Sequence, residues 1–476
     1  MLPIGSLTAT TTAALLLATR LVPRSDRPVT LSTDLLWMGI SALMLVGVGG
    51  VWLGTFPLAD SVAITTSDFT EYCRSVTAMV EGTPRWWSPN RSVLSGLPAT
   101  WAARHLGVQD GLLVGAWVGQ AFLGAGLYAW GRALHSPLAG VGSVVAAGAL
   151  VPLAALGRML TFYPAIVGGL CFATGLVALY WRHPGRRTAV LAGVGVGLAL
   201  LVDLRGLVWA LPLVGLAGLR ALTVRHTRNK VLHLAILVAL VAIAHRLGPS
   251  AYLEQSTTLE VLSDLTKGWK DIVWVPHVRV PDSAATGYVW GRSPLVHIPD
   301  TLSWLADQGA RVPPTLRTHP YTLRARAQLL DPLEPWLMGA AVVAVLGLLR
   351  SPRLLLFALG SGLPYAVALE GAIAARFAGL RFLGNGAPLL ALVAGVGMAV
   401  LVVGPVRTRR PPPRIGMRGL MALGLLQLVV LGALPSDLSP LSHWRARYKK
   451  ADAGLLTACP APPHLPQTPT LLYQLP

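Results

Sequence analysis

The sequence predicts an all-α fold, a polytopic transmembrane helical bundle of about eleven spans with two long loops on one side. Three observations carry this reading. First, 53% of the 476 residues are hydrophobic and only 12% are charged, with a mean hydropathy of +0.59. Soluble domains carry about 25% charged residues. Second, apolar runs of about 20 residues, the length that crosses a hydrocarbon core of about 30 Å, recur along the whole chain. Third, Lys and Arg collect in alternate connections between those runs.

Spans are expected near 35–56, 111–131, 138–157, 159–181, 188–203, 206–222, 231–249, 335–350, 353–371, 384–404 and 417–435. The first, 35–56, follows a segment whose start, Met1 to Val22, is apolar but has neither a basic n-region nor a small-x-small cleavage pattern. That start reads as a retained short span or interfacial segment rather than a removed signal peptide. The next spans are joined by short turns. Between them, one set of connections holds Arg20, Arg24 and Arg27, then Arg132, then Arg182, Arg186 and Arg187. It continues with Arg220, Arg225, Arg228 and Lys230, then Arg350 and Arg353, then Arg407, Arg409, Arg410, Arg414 and Arg418. The short connections of the other set hold only Arg158, Arg205, Arg376 and Arg381. The positive-inside rule assigns the first set to the cytoplasm. The net charge of +19 is therefore a topological signal, and no nucleic-acid partner is expected.

This alternation divides the chain into five parts. Residues 1–34 form an N-terminal segment, and 35–249 a transmembrane core that includes a first outer loop, 57–110. Residues 250–334 form a long outer loop, 335–435 the C-terminal helices, and 436–476 an outer tail. The three cysteines, Cys73, Cys171 and Cys459, have no metal-ligand spacing. Cys73 and Cys459 fall on the same expected side and can pair. The loop 250–334 carries Trp269, Trp274, Tyr288, Trp290, Trp304 and Tyr321. Such rings either stack on sugars or populate a membrane interface, and the sequence leaves both open. His277, His297 and His319 in the same loop lack the spacing of a metal motif, and no metal site is assigned.

The first outer loop holds the residues with the most chemical content. It reads Thr66-Ser67-Asp68-Phe69-Thr70-Glu71-Tyr72 and continues to Gly82. A helix capped by Ser67 sets Asp68 and Glu71 three apart on one face. Two such carboxylates can serve as a general base or hold a divalent cation. A solvated acidic pair favoured by the helix dipole is the plainer alternative.

After the acidic helix come Gly96-Leu97-Pro98-Ala99-Thr100-Trp101 and Gly107, ahead of the next span. This order resembles the first periplasmic loop of the C-type glycosyltransferase superfamily, with the protein O-mannosyltransferases and lipid A aminoarabinose transferases as the nearest branches. The resemblance continues through the glycine-rich Leu191-Ala192-Gly193-Val194-Gly195-Val196-Gly197-Leu198-Ala199. It returns at Arg376-Phe377-Ala378-Gly379-Leu380-Arg381-Phe382 with Pro388 beyond. Altogether it covers most of residues 35–404 as a pattern of spans and short motifs. Two departures stand out. The turn after the glycine-rich helix pairs Arg205 with Asp203, and Ser95-Gly96-Leu97-Pro98 stands where the family often has Lys-Pro-Pro.

The resemblance implies transfer of a sugar from a polyprenyl-phosphate donor to an acceptor at the outer face of a bacterial inner (cytoplasmic) membrane. Asp68 would be the general base or a cation ligand and Glu71 its partner. Arg205, Arg376 and Arg381 would hold the donor phosphate, and Tyr72 would line the substrate site. Guanidinium groups suit phosphate because their planar fork bonds two oxygens at once. Nucleotide sugars are cytoplasmic, so an outer site needs a lipid-borne donor, and no Gly-x-Gly-x-x-Gly, Walker or Asp-x-Asp signal occurs in the cytoplasmic connections. The rival reading is a non-catalytic polytopic subunit of a larger membrane assembly that keeps the fold. A transporter is disfavoured because the charges sit at span ends rather than at mid-membrane. Neither reading assigns a cofactor beyond the divalent cation that the acidic pair can accept.

Overall fold

The computed structural model describes residues 30–53, 66–82, 93–202, 206–224, 227–245, 334–348, 351–374 and 380–403, and every regular element among them is a helix. In chain order these are α1 (Leu31–Leu53), α2 (Thr66–Val80), α3 (Val93–Leu106), α4 (Val108–Leu134), α5 (Pro137–Ala149), α6 (Val151–Ala154) and a 3-10 turn at Ala155–Arg158. There follow α7 (Tyr163–Arg182), α8 (Arg186–Val202), α9 (Leu207–Leu222), α10 (Thr227–His245), α11 (Glu334–Leu348), α12 (Pro352–Ala374) and α13 (Leu380–Val403). Three helices among the described residues, Val108–Leu134, Tyr163–Arg182 and Gly384–Val403, are long and apolar enough to cross a membrane. Among the described residues the protein is all-helical, with helices of the length and composition of membrane spans.

Among the described residues, helices fall within each expected span from 35–56 to 384–404. The span expected near 417–435, the apolar start, the loop 250–333 and the tail lie outside the described residues. Four differences from the sequence reading have physical causes. α1 opens at Leu31, where Thr30 accepts from the Thr33 amide and bonds the hydroxyls of Ser32 and Thr33. The expected span 138–157 is broken, because Pro152 has no N–H to give the Gly148 carbonyl, so α5 stops at Ala149 and Leu150 is extended (φ −80°, ψ 114°). Within 57–110, expected as a loop, the described residues form α2, α3 and the start of α4. α2 begins at Thr66, so Ser67 lies inside its first turn.

Close backbone approaches hold the centre of the bundle, as expected where apolar side chains gain nothing from leaving lipid. α4 and α7 run parallel and touch through glycines: a Cβ on Gly175 would lie 2.8 Å from the Gly126 Cα, and one on Gly126 would strike the Cys171 carbonyl. On α13, a Cβ on Gly395 would collide with the Ser143 backbone of α5. Buried polar groups then fix which helices meet. The Trp130 indole donates to Ser361 Oγ at 2.8 Å, and the hydroxyls of Thr174 and Tyr365 share a bond of 2.9 Å, tying α12 to α4 and α7.

One end of the bundle gathers the basic residues. Asp34 in the first turn of α1 is fully buried there, and Arg132 Nε reaches its Oδ1 at 3.0 Å. His183 Nε2 lies 2.8 Å and Arg182 Nε 3.9 Å from its Oδ2, while the Tyr128 hydroxyl donates to Oδ1 at 3.3 Å. A single carboxylate thus joins α1 to the C-terminal ends of α4 and α7. Arg220, at the end of α9, sits 6.0 Å over the Trp181 ring at the same end.

Candidate functional site

The opposite end carries the acidic helix. α2 runs from Thr66 to Val80 and stops where Gly82 takes a left-handed conformation (φ 72°), while the Glu81 amide still donates to the Thr77 carbonyl. A glycine accepts that conformation at no steric cost. The helical backbone places Asp68 and Glu71 in the N-terminal half of α2, three residues apart on one face. From Tyr72 onwards the helix is clamped to the protein: Tyr72, Cys73 and Val76 are buried. The Tyr72 ring packs tilted on Phe162 with centroids 4.8 Å apart.

α3 forms the floor beside it. The Thr100 hydroxyl of α3 bonds the Gly96 carbonyl at 3.0 Å and Met79 Sδ at 3.5 Å, and a Cβ on Gly96 would meet Phe162 at 2.7 Å and Met79 Sδ at 3.1 Å. At Gly107 the backbone has φ 92° and ψ 162°, a combination open almost only to glycine. The chain reverses there, and α3 lies antiparallel along α4. Ala103 faces Gly111, where an added Cβ would come within 2.8 Å, and Ala99 faces Gly115 at 3.1 Å.

The irregular stretch between α5 and α7 is the hub. Phe162, on its far side, receives Tyr72 and Gly96; Leu156, in its 3-10 turn, faces Gly384 of α13 at 3.4 Å from an added Cβ. Gln120 of α4 supports the stretch by donating from Nε2 to the Leu153 carbonyl. Non-helical backbone at this depth is tolerated because protein rather than lipid surrounds it, and Leu153, Leu156, Leu160 and Phe162 are all buried. Through this hub α2, with its two carboxylates, and the start of α13, where Arg381 is the second residue, come to the same end of the bundle.

The other sequence-derived candidates divide plainly. Tyr72 is a packed core residue of α2. Arg205 belongs to residues 203–205 and Arg376 to 375–379, both outside the described residues. The residues on either side of the first are closely packed: a Cβ added to Gly169 would strike the Val202 side chain, and one added to Gly206 would strike the Ala199 carbonyl. Sequence reasoning missed three buried polar residues at this end, Asp110 and Gln120 of α4 and Asn385 of α13, which are 1%, 1% and 7% exposed. The available signal was a polar residue inside or at the edge of an apolar span, which is rare and seldom idle. Asp110 stood one residue before the expected span and was read as its boundary.

Cys73 is disulfide-bonded, whereas Cys171, in the middle of α7, is free and buried. The partner of Cys73 lies outside the described residues.

No family model and no curated protein matches the chain. Solved structures do. The apo form of the Archaeoglobus fulgidus oligosaccharyltransferase superposes with a TM-score of 0.50 at 13% identity, over 91% of this chain and 61% of that one. The same enzyme tethered by a disulfide to an acceptor peptide with the NVT sequon superposes with a TM-score of 0.51 at 13% identity, over 91% and 60%. This chain thus spans about three-fifths of the length of those neighbours. The protein shares the fold of that oligosaccharyltransferase, while nothing at this level singles out the O-mannosyltransferase or aminoarabinose transferase branch.

Proposed function

We propose that this protein transfers a sugar from a polyprenyl-phosphate-linked donor to an acceptor at the outer face of a bacterial cytoplasmic membrane. The observation that carries the reading is the fold shared with an oligosaccharyltransferase, in which the acidic helix α2 and the Arg381 end of α13 meet on one hub, away from the basic end. The Cys73 disulfide supports the outer assignment of α2, because such bonds persist in oxidising compartments. Cys459 is the remaining cysteine of the three, and we assign it as the partner.

The chemistry balances with this chain's own residues. The Asp68 carboxylate takes the proton from the acceptor as the acceptor attacks the anomeric carbon on the face opposite the phosphate. The bond from that carbon to the phosphate oxygen breaks, its electron pair goes to the phosphate, and the configuration inverts. Arg381, with Arg205 and Arg376, meets the charge that grows on the departing polyprenyl phosphate. Glu71 orients Asp68, or the two share a divalent cation, and Tyr72 holds their helix on the hub.

The decisive test is Asp68→Asn, an exchange that keeps shape and removes basicity. Transfer from a polyprenyl-phosphate sugar by purified protein should fall to background while the yield of folded protein stays unchanged. Wild-type rates in that variant would favour the rival reading, a non-catalytic subunit of a membrane assembly.

A further inference from the structure

α3 has two unlike faces. Ser95, Ala99, Thr100, Ala102 and Ala103 are buried against α4 and α2, while Leu97 and Trp101 are 47% and 67% exposed, and Arg104 and His105 are exposed beside them. Positions 97, 101, 104 and 105 form one stripe of a helix, and the Trp101 ring meets His105 edge-on at 6.0 Å. A large indole left so open is unusual for a surface in contact with water alone.

The depth of that stripe follows from the hairpin. Trp101 lies between Ala99 and Ala103, which face Gly115 and Gly111, so it is level with about residue 113 of α4. From there to Arg132 is a rise of about 29 Å at 1.5 Å per residue. Arg132 is held on Asp34 at the basic end, which marks the other headgroup boundary. A hydrocarbon core is about 30 Å thick. Trp101 therefore stands at the far boundary, Leu97 one turn within the acyl region and Arg104 with His105 one turn out among the phosphates. Apolar, indole and cationic groups follow one another in the order in which a lipid presents tail, interface and anion.

We propose that this stripe, Leu97, Trp101, Arg104 and His105, is a seat for phospholipid of the leaflet opposite the Asp34 end. The charge complementarity of Arg104 to a lipid phosphate selects this occupant over a soluble ligand. The seat sets the depth of the α3–α4 hairpin, and since α2 rests on Gly96 and Thr100, it also sets the height of the acidic helix above the hydrocarbon. The proposal depends on the membrane reading alone and stands whether or not the protein transfers sugar.

The test uses the full chain in nanodiscs with a nitroxide on Leu97→Cys, Trp101→Cys or His105→Cys, one at a time, each checked for wild-type elution. Accessibility to oxygen relative to a water-soluble nickel complex should fall in the order 97, 101, 105, with 101 at the value of an interfacial site. As a readout that needs no cysteine, tryptophan emission of wild type is compared with Trp101→Phe in lipid brominated high or low on its chains. The fluorescence lost in Trp101→Phe should be quenched more by the high bromines. Nickel accessibility equally high at all three positions, or no quenching of the Trp101 share by either lipid, would overturn the seat and point to a soluble ligand. Low accessibility to both reagents would overturn it too, by showing protein over the stripe.

Discussion

Asp34 offers the sharpest test of the architecture, because one buried carboxylate holds three helices together. Its partners are Arg132 at 3.0 Å, His183 at 2.8 Å, the Tyr128 hydroxyl at 3.3 Å and Arg182 at 3.9 Å. Inside membrane proteins a hydrogen bond averages about 0.6 kcal/mol, so four partners set a floor near 2 kcal/mol for Asp34→Ala. The true cost is higher, since Arg132 is 3% exposed and would be left as a buried cation without its nearest counter-charge. Removing one member of a buried pair typically costs about 3–5 kcal/mol, and we expect Asp34→Ala in that range. Arg132→Met should cost less, because Asp34 retains His183 and Arg182. The double variant should cost clearly less than the two singles combined, as no charge is then stranded. The assay is reversible unfolding in mixed micelles, followed by tryptophan emission, with all four proteins of the cycle. A loss below about 1 kcal/mol for Asp34→Ala would refute the reasoning, because that is the range of ion pairs bathed in solvent. The cluster is at the end away from α2, so the surviving folded fraction should retain the wild-type KM.

Three further outcomes bear on the site. If Arg381 grips the donor phosphate with both arms of its guanidinium, Arg381→Lys should weaken binding of a polyprenyl-phosphate analogue by about 1–3 kcal/mol, at unchanged melting temperature; equal binding by both proteins would make it a headgroup anchor. Single cysteines replacing Asn90, Trp290 or Lys450 should react with an impermeant maleimide in intact cells, and ones replacing Gly185, Arg228 or Pro411 should not. Outside labelling at 228 would invert the bundle and remove the need for a lipid-borne donor. Denatured but unreduced protein should expose one alkylatable thiol and reduced protein three, with a Cys73–Cys459 peptide pair in the mass spectrum; three thiols without reduction would rule out the cross-link.

Much of this protein was legible in its sequence because the membrane makes sequence rules unusually local. A stretch of apolar residues must be helical in lipid, since no water is available to satisfy its backbone. The helical class of the described residues and the places of their apolar helices therefore follow from composition along the chain. The acidic motif on α2 was visible for the same local reason: two carboxylates three residues apart need only a helix to share a face. What the sequence could not determine depends on distant residues. Nothing in the run around Gly107 says that α3 turns back along α4, because that reversal rests on Gly111 and Gly115 admitting Ala103 and Ala99. Nor does the sequence show that Phe162 seats the Tyr72 helix while Leu156, six residues earlier, receives Gly384 of α13. Arg132 and Arg182 read as topological charges, and only the tertiary structure brings Asp34, 98 residues from Arg132, between them. Such choices belong to packing: they are made where two surfaces of small residues meet, and no window of sequence contains both.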